Sequence, residues 1–415
     1  MYTVKSRPLN VSEVRDQFPV LKKQMRGKKL TYLDSGATSL KPYRVLEAER
    51  AYYEELSSNI HRGVYEFSQT ATERYDEARE KLAALVNAPA SHEIIFTRGT
   101  TESINLVGYS WGRKFLKPGD EILTSEFEHH SNIVVWQEVA KATGAVLRFF
   151  PLLPGATGLD PEQLEASFSE RTRLVAITGM SNVTGYRPPV ARITELAHER
   201  GALVLVDGAQ MVCHEAVDVQ KLGIDFLAFS GHKMCGPTGI GVLYAREDVL
   251  EDMDPFLYGG DMIERVWKDH SSYAKIPEKF EAGTPHIAGA IGLGEACDFV
   301  REIGLDAVAE HESELLSYCL ERAAAISDIT VYGGMDAAGR GGIFSFNLNE
   351  VHAHDVGMIL DGEGVAVRAG FHCAQPLMRV LGVAGTTRAS FYMYTDRSDI
   401  DALFDGLEAV RKIFL

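Results

Sequence analysis

The sequence predicts an α/β fold: a mostly parallel sheet in a large domain, completed by a smaller α+β domain at the C-terminal end. Three observations predict it. Runs such as "RLVAIT" and "ALVLVD" are apolar without alternation, the mark of strands buried on both faces. Helical stretches separate these runs, as βαβ units require. After about residue 290 the rhythm changes to long helices followed by short strands.

The elements follow in order. The first 30 residues read as a short amphipathic helix around "VSEVRDQFPVL" and a basic turn, a segment expected to pack on the small domain. Residues 31–290 form the expected large domain. In it, "HEIIFTRGTTESINLVGYSWG" is an apolar run, a Gly-Thr-Thr turn and a helix. "DEILTSEFEHHSNIVVWQEVAKATGAVLRFFPL" repeats strand, loop, helix and strand. "TRLVAITGMSNVTGY" and "GALVLVDGAQ" are two more strands around the helix "VARITELAHERG". "IDFLAFSGHKMCGPTGIGVLYA" adds two strands around a glycine-rich loop. Residues 291–415 form the expected small domain, with helices at "AIGLGEACDFVREIG" and "DAVAEHESELLSYCLERAAAIS". Strands follow at "IFSFNL", "VAVRAG" and "TTRASFYMY", then a last helix.

Composition limits the function. The 415 residues are 45% hydrophobic and 24% charged, the profile of a globular chain with ample core. A net charge of −16 argues against non-specific nucleic-acid binding and against docking on anionic membranes. No run approaches a membrane span, and the N-terminus carries neither a signal core nor a transit-peptide composition, so a cytoplasmic location is expected. Cys213, Cys235, Cys297, Cys319 and Cys373 are scattered and form no C-x-x-C pair. Neither a metal site nor a disulfide framework is expected from them. Cys297 and Cys319 sit in apolar helical patterns as core thiols. Cys373, in "RAGFHCAQPLM", needs its own explanation: inert hydrophobe, ligand, half-disulfide or nucleophile.

In open α/β sheets, ligands collect at the carboxyl ends of strands. Thr100, His130, Asn182, Asp207 and Lys233 all fall at such ends. Lys233 comes straight off the apolar strand "FLAFS"; a lysine in apolar surroundings loses basicity and becomes a Schiff-base candidate. Most lysines are merely solvated, so this alone decides little. Asp207 ends "ALVLVD", where a carboxylate is costly unless it meets a cation; helix capping competes as an explanation. "RGTTES" places Gly99, Thr100 and Thr101 at a helix N-terminus, which favours an anion but is also routine helix punctuation. Ser230 and His232 flank the lysine. Together these match what pyridoxal phosphate needs: a lysine, an acid for the pyridine nitrogen, a phosphate cradle and a group over the ring.

The sequence resembles the class V aminotransferase group of fold-type I pyridoxal-phosphate enzymes, and more narrowly the SufS-type (group II) cysteine desulfurases. The carriers are "EHHSNIVVWQ", "VDGAQ", "FSGHKMCGPTGIGVLY", "EAGTP" and "RAGFHCAQPLM". The resemblance implies a seven-stranded-type sheet and a homodimer binding pyridoxal 5'-phosphate. Lys233 would carry the cofactor, Asp207 would pair with its ring nitrogen, Gln210 would bond the ring hydroxyl and His130 would stack on the ring. Asn182 would approach ring and substrate. Thr100, Thr101, Ser230 and His232 would hold the phosphate, with Thr284 reaching in from the other subunit. Arg388 would bind the substrate carboxylate, and Arg368 and His61 would lie near the cysteine or the shared site. Cys373 would take the sulfur of L-cysteine as a persulfide, releasing alanine. It would then pass the sulfur to an acceptor protein, SufU-like or SufE-like, for iron–sulfur cluster assembly. Position 371 is Phe where many relatives carry a second His, which leaves His372 alone beside the thiol. The alternatives are a selenocysteine lyase, another class V lyase such as a sulfinate desulfinase or a kynureninase-like hydrolase, and a non-catalytic protein that keeps the fold.

Overall fold

The computed structural model describes residues 9–349 and 351–414. All seven expected large-domain strands form and join one sheet: β1 (Ile94–Thr97), β2 (Glu121–Thr124), β3 (Val146–Phe149), β4 (Thr172–Thr178), β5 (Leu203–Asp207), β6 (Phe226–Ser230) and β7 (Gly241–Ala245). Their order is β1-β7-β6-β5-β4-β2-β3. The five strands from β6 to β3 run parallel, and β7 is antiparallel to both of its neighbours. β4 to β7 are buried almost throughout, which is why their sequences show no alternation.

Helices cover both faces. Among them are α1 (Val11–Asp16), α2 (Tyr43–Ala51), α3 (Glu66–Val86), α4 (Thr100–Val107), α5 (Val134–Thr143) and α6 (Val190–His198). The C-terminal region holds α7 (Ile287–Ile303), α8 (Leu305–Ala324), α9 (Ala353–Gly362), α10 (Gln375–Leu381) and α11 (Arg397–Phe414). Its four-stranded sheet is antiparallel, in the order β8 (Ile329–Tyr332), β9 (Ile343–Leu348), β11 (Thr386–Ser390), β10 (Arg368–Gly370). No described helix is long and apolar enough to cross a membrane.

The structure departs from the expected elements and their division in three places. Thr31–Tyr32 pairs in parallel with Val365–Ala366, and Leu33 joins the core of the small sheet, so this stretch packs with the C-terminal region. α7 packs on α2 and α3 and shares the large core, although residues from 291 were assigned to the small domain. The run "VAVRAG" splits at Val367, its two halves pairing in different sheets. The N-terminal segment is held by Arg15, which bonds Tyr394 O at 2.6 Å and Asp399 at 2.5 Å, and by Phe18 against Tyr394 and Phe299.

Candidate active site

At the carboxyl ends of the parallel strands lies a cavity of about 470 Å³. The walls come from both sheets. Thr178, Asp207, Ser230 and Lys233 belong to strand ends of the large sheet, and Arg368 to Cys373 and Arg388 to the small one. Thr100, Thr101, Asn182, Gln210 and His232 also line it. Eleven of the fourteen residues singled out in the sequence thus meet in one chamber.

Three do not. His130 lies outside the cavity, in a neighbouring depression; its ring stacks on exposed Phe371 and its Nε2 accepts the Gln375 N–H. The preceding residue, His129, lines the chamber instead. The two histidines open a 3-10 turn on which successive side chains diverge, so the motif "EHH" left the choice open by one residue. His61 and Thr284 are exposed and away from this chain's cavity, His61 with φ 69° and its ring edge-on to Tyr75.

Asp207 closes β5 beside Lys233. Burial pushes its carboxyl upward, opposed by Lys233 and by the Ala209 N–H at 3.0 Å. Lys233 follows β6 on a one-turn 3-10 helix; burial lowers its pKa, Arg388 adds to that, and Asp207 works against it. Burial also holds three imidazoles neutral. His129 and His232 are lowered to about 4, each with help from Lys233, and His372 to about 3, with help from Arg388. His129 Nδ1 accepts the Ser131 N–H, so the proton of the neutral ring sits on Nε2.

The side chains present fit pyridoxal phosphate. Gln210 donates to Gly36 O at 2.7 Å and keeps a buried Oε1 without a partner, an acceptor left over for a hydroxyl. Asp207 is a buried carboxyl in need of a second cation, as a pyridinium would be. α4 begins at Thr100 with no side-chain cap, and Ser230 Oγ lies 2.8 Å from Thr100 N and 2.7 Å from its hydroxyl. Gly99 sits there at φ 147°, against Gly241, where a Cβ would approach its Cα to 2.4 Å. That leaves a helix N-terminus with hydroxyls around it and room for an anion.

The cysteine loop is tied to this chamber from two sides. Cys373 O accepts the His130 N–H at 2.7 Å, and His372 O accepts from Asn182 Nδ2 at 2.7 Å. His372 and Cys373 both take left-handed backbone, φ 50° and 53°, before α10 begins with Pro376 in its first turn. Two successive non-glycine residues there mark a held, strained loop, of the kind that gathers at functional sites. Cys373 is the only exposed cysteine; the other four are buried, Cys297 and Cys319 in the core as expected. His372 turns away, its Nε2 on Thr386 Oγ1 at 2.9 Å, so it brings no positive charge to the thiol. The cations that face Cys373 are Arg368, Arg388 and Lys233.

Sequence reading missed Asp34, His129, Ser131 and His354. Asp34 accepts from Arg368 at 3.1 and 2.8 Å and approaches Arg388 at 3.4 Å. A lone acid after the apolar run "LTYL" was the available signal, the same one that picked out Asp207. Among the described residues, no group of three or more His, Cys, Asp or Glu is placed to hold a metal.

The aminotransferase class-V family model matches residues 31–403. A probable cysteine desulfurase of Halalkalibacterium halodurans is 52% identical over 406 residues, 98% of this chain and 99% of that protein. The cysteine desulfurase CsdA of Escherichia coli, solved in an S-sulfonic acid form, is 41% identical with a TM-score of 0.91, covering 99% of this chain and all of that one. The apo cysteine desulfurase of Thermococcus onnurineus gives 39% and 0.92, covering 98% and 99%.

Proposed function

The chain belongs to the class-V aminotransferase family, and on that premise we propose that it is a cysteine desulfurase that stores the sulfur of L-cysteine on Cys373. It is a pyridoxal-phosphate enzyme. One observation carries the proposal: the single exposed cysteine stands on a strained loop at the wall of the chamber that holds Lys233 and Asp207. A metal ligand or a packing residue would have no reason to be there.

Bound to this site, the cofactor supplies an electron sink that labilises the Cα proton and the Cβ–Sγ bond of an amino acid. The chain's own residues do the rest. Thr100, Thr101, Ser230 and His232 hold the phosphate, Asp207 keeps the ring nitrogen protonated and Gln210 accepts from the ring hydroxyl. His129 takes the stacking position first given to His130. Lys233 would anchor the cofactor and, with its lowered basicity, would move protons at the substrate Cα. Arg388 receives the substrate carboxylate. It is 2% exposed, so the pair forms out of water, where it is strong. Cys373 attacks the substrate sulfur as a thiolate. The Cβ–S electron pair leaves with the carbon, which ends as the methyl of alanine, and the sulfur stays on Cys373 as a persulfide. Arg368 and Arg388 line the chamber with Cys373.

The short, fixed loop with Pro376 supports a SufS-type assignment. Its exposure supports transfer to an acceptor protein of iron–sulfur assembly, SufU-like or SufE-like. The acidic chain without a described membrane-crossing helix is consistent with a cytoplasmic place of work. Thr284 and His61, exposed and away from their own cavity, are consistent with sharing across a homodimer. The test is alanine release from L-cysteine with dithiothreitol as sulfur acceptor, wild type against Cys373→Ser, each loaded with cofactor. The proposal expects turnover only in wild type. Equal rates would favour a lyase that needs no thiol, with selenocysteine the next substrate to try.

A further inference from the structure

One peptide carbonyl behind the chamber gathers more donors than its two lone pairs need. It is His232 O, in the peptide that joins His232 to Lys233. Lys233 stands on a single 3-10 turn, Gly231–Lys233, and Cys235 beyond it is left-handed at φ 65°. Within that loop Gly231 O accepts the Met234 and Gly236 N–H groups, at 3.0 and 2.9 Å. His232 O takes its donors from a distant part of the chain: Ser39 N at 3.0 Å, Thr38 Oγ1 at 3.0 Å, Ser39 Oγ at 3.1 Å and Lys41 Nζ at 3.0 Å. Ser39 Oγ also accepts the Cys235 N–H at 2.7 Å, which ties the far end of the loop to the same segment. That segment is tied in turn to the C-terminal region. Gly36 N donates to Ser390 Oγ at 2.7 Å and Leu40 N to Tyr394 OH at 3.1 Å, and Ser390 lies on β11 with Arg388.

Lys41 is the charged member of this set. Its Nζ also donates to Ser39 O and meets Thr38 Oγ1 at 3.4 Å. Burial lowers its pKa to about 8, with Cys235 and Glu49 opposing, so the ammonium form dominates at pH 7. Among the described residues no carboxylate is in ion-pair contact with it, Glu49 acting only from farther off. A half-buried ammonium held by carbonyls alone is costly, and a lysine that serves only to fill space reaches water or an acid instead. Lys41 does not line the chamber. We propose that Lys41 is a positioning residue for Lys233: its ammonium completes the clamp on His232 O and so fixes the Lys233 peptide relative to β11, which carries Arg388. The reaction depends on that relation, because Lys233 acts at the Cα of a substrate whose carboxylate Arg388 receives. The inference rests on those two proposed roles, but not on which amino acid is turned over. A hydrogen bond from a cation is roughly twice as strong as a neutral one, and a misplacement of about 1 Å costs a reaction about a hundredfold.

The test compares cofactor-loaded wild type and Lys41→Met at pH 7 by two readouts. One is the visible circular dichroism of the bound cofactor, which reports how it sits in its asymmetric surroundings and does not follow global stability while the protein stays folded. The other is the single-turnover rate of alanine formation over a range of L-cysteine concentrations. Lys41→Met should change the visible band in sign or intensity, slow alanine formation by about tenfold or more, and leave the half-saturating cysteine concentration within about threefold of wild type. Lys41→Gln, uncharged and one atom shorter, should behave alike and takes over if Lys41→Met does not fold. An unchanged band, or a rate within about threefold of wild type, would overturn the proposal. So would a defect confined to the half-saturating concentration, which would place Lys41 in substrate binding. Failure of both uncharged variants to fold would overturn it too, making Lys41 a support of the fold. The wild-type band and wild-type alanine release show separately whether the functional reading itself stands.

Discussion

Glu312→Gln should cost the folded protein stability at neutral pH and little at high pH. Glu312, on α8, is fully buried and meets His214 Nδ1 at 2.7 Å; His214 is 4% exposed and lies on the turn that follows Asp207 and carries Gln210. Tyr392 packs edge-on against the imidazole at 5.0 Å. Burial alone would lower the His214 pKa, but Cys213 and Glu312 beside it reverse that and raise it to about 10. A pKa raised on folding stabilises fully below the unfolded value of about 6.5 and stops stabilising above about 10. Between those limits the folded state holds one extra proton, so stability falls by about 1.4 kcal/mol per pH unit. Integrated, the histidine contributes about 3–4 kcal/mol at pH 7 and under about 1 kcal/mol at pH 9.5. That is also the size expected for breaking a buried pair. Denaturant unfolding of cofactor-loaded wild type and Glu312→Gln, run in parallel at both pH values, cancels titrations common to the two. The difference between the proteins should shrink as pH rises. A difference that is below about 1 kcal/mol at pH 7, or that does not change with pH, would refute the ion-pair account of this contact.

Other consequences test the site. His129→Ala should lower kcat by about a hundredfold, whereas His130→Ala should change it by no more than about threefold; steady-state rates on cysteine distinguish the two histidines. Glu128 is completely buried, accepts from Ser125 and Asn132, and is pushed up to about 8, chiefly by burial with Asp207 adding to it, which favours its neutral form at pH 7. Glu128→Gln should therefore keep near wild-type kcat at pH 7, and a large loss there would show that its charge is required. Arg388→Lys forfeits the fork that binds a carboxylate and should raise KM for cysteine by about thirtyfold or more with a smaller change in kcat. Equal losses in both would place Arg388 in the chemical step.

Much of this was legible in the sequence because the relevant signals are local. Seven apolar runs without alternation became seven strands of one sheet, and their ends put Asp207, Ser230 and Lys233 within one chamber. The small domain's edge was harder to read, since Thr31–Tyr32 pairs with residues more than 300 positions away and no local pattern announces that partner. α7 shows the same difficulty: an apolar helix reads alike whichever core it packs against. His129 and His130 could not be separated without the turn that aims one inward. Asp34 was overlooked because its meaning comes from Arg368 and Arg388, which only the fold brings to it. Phe371 raised the question of what replaces a second histidine near the thiol. The structure answers that the charge beside Cys373 comes from arginines, with His372 neutral and facing Thr386.

The central claim is that Cys373 carries the sulfur. Cofactor-loaded wild type and Cys373→Ser, each given one equivalent of L-cysteine without reductant, should be digested and the cysteine peptides weighed by mass spectrometry, with alanine counted in the same samples. The account predicts one added sulfur atom on the peptide holding Cys373, matched by one alanine, and neither in the variant. Added sulfur on Cys213, Cys235, Cys297 or Cys319, or alanine released with no sulfur retained on the protein, would contradict it.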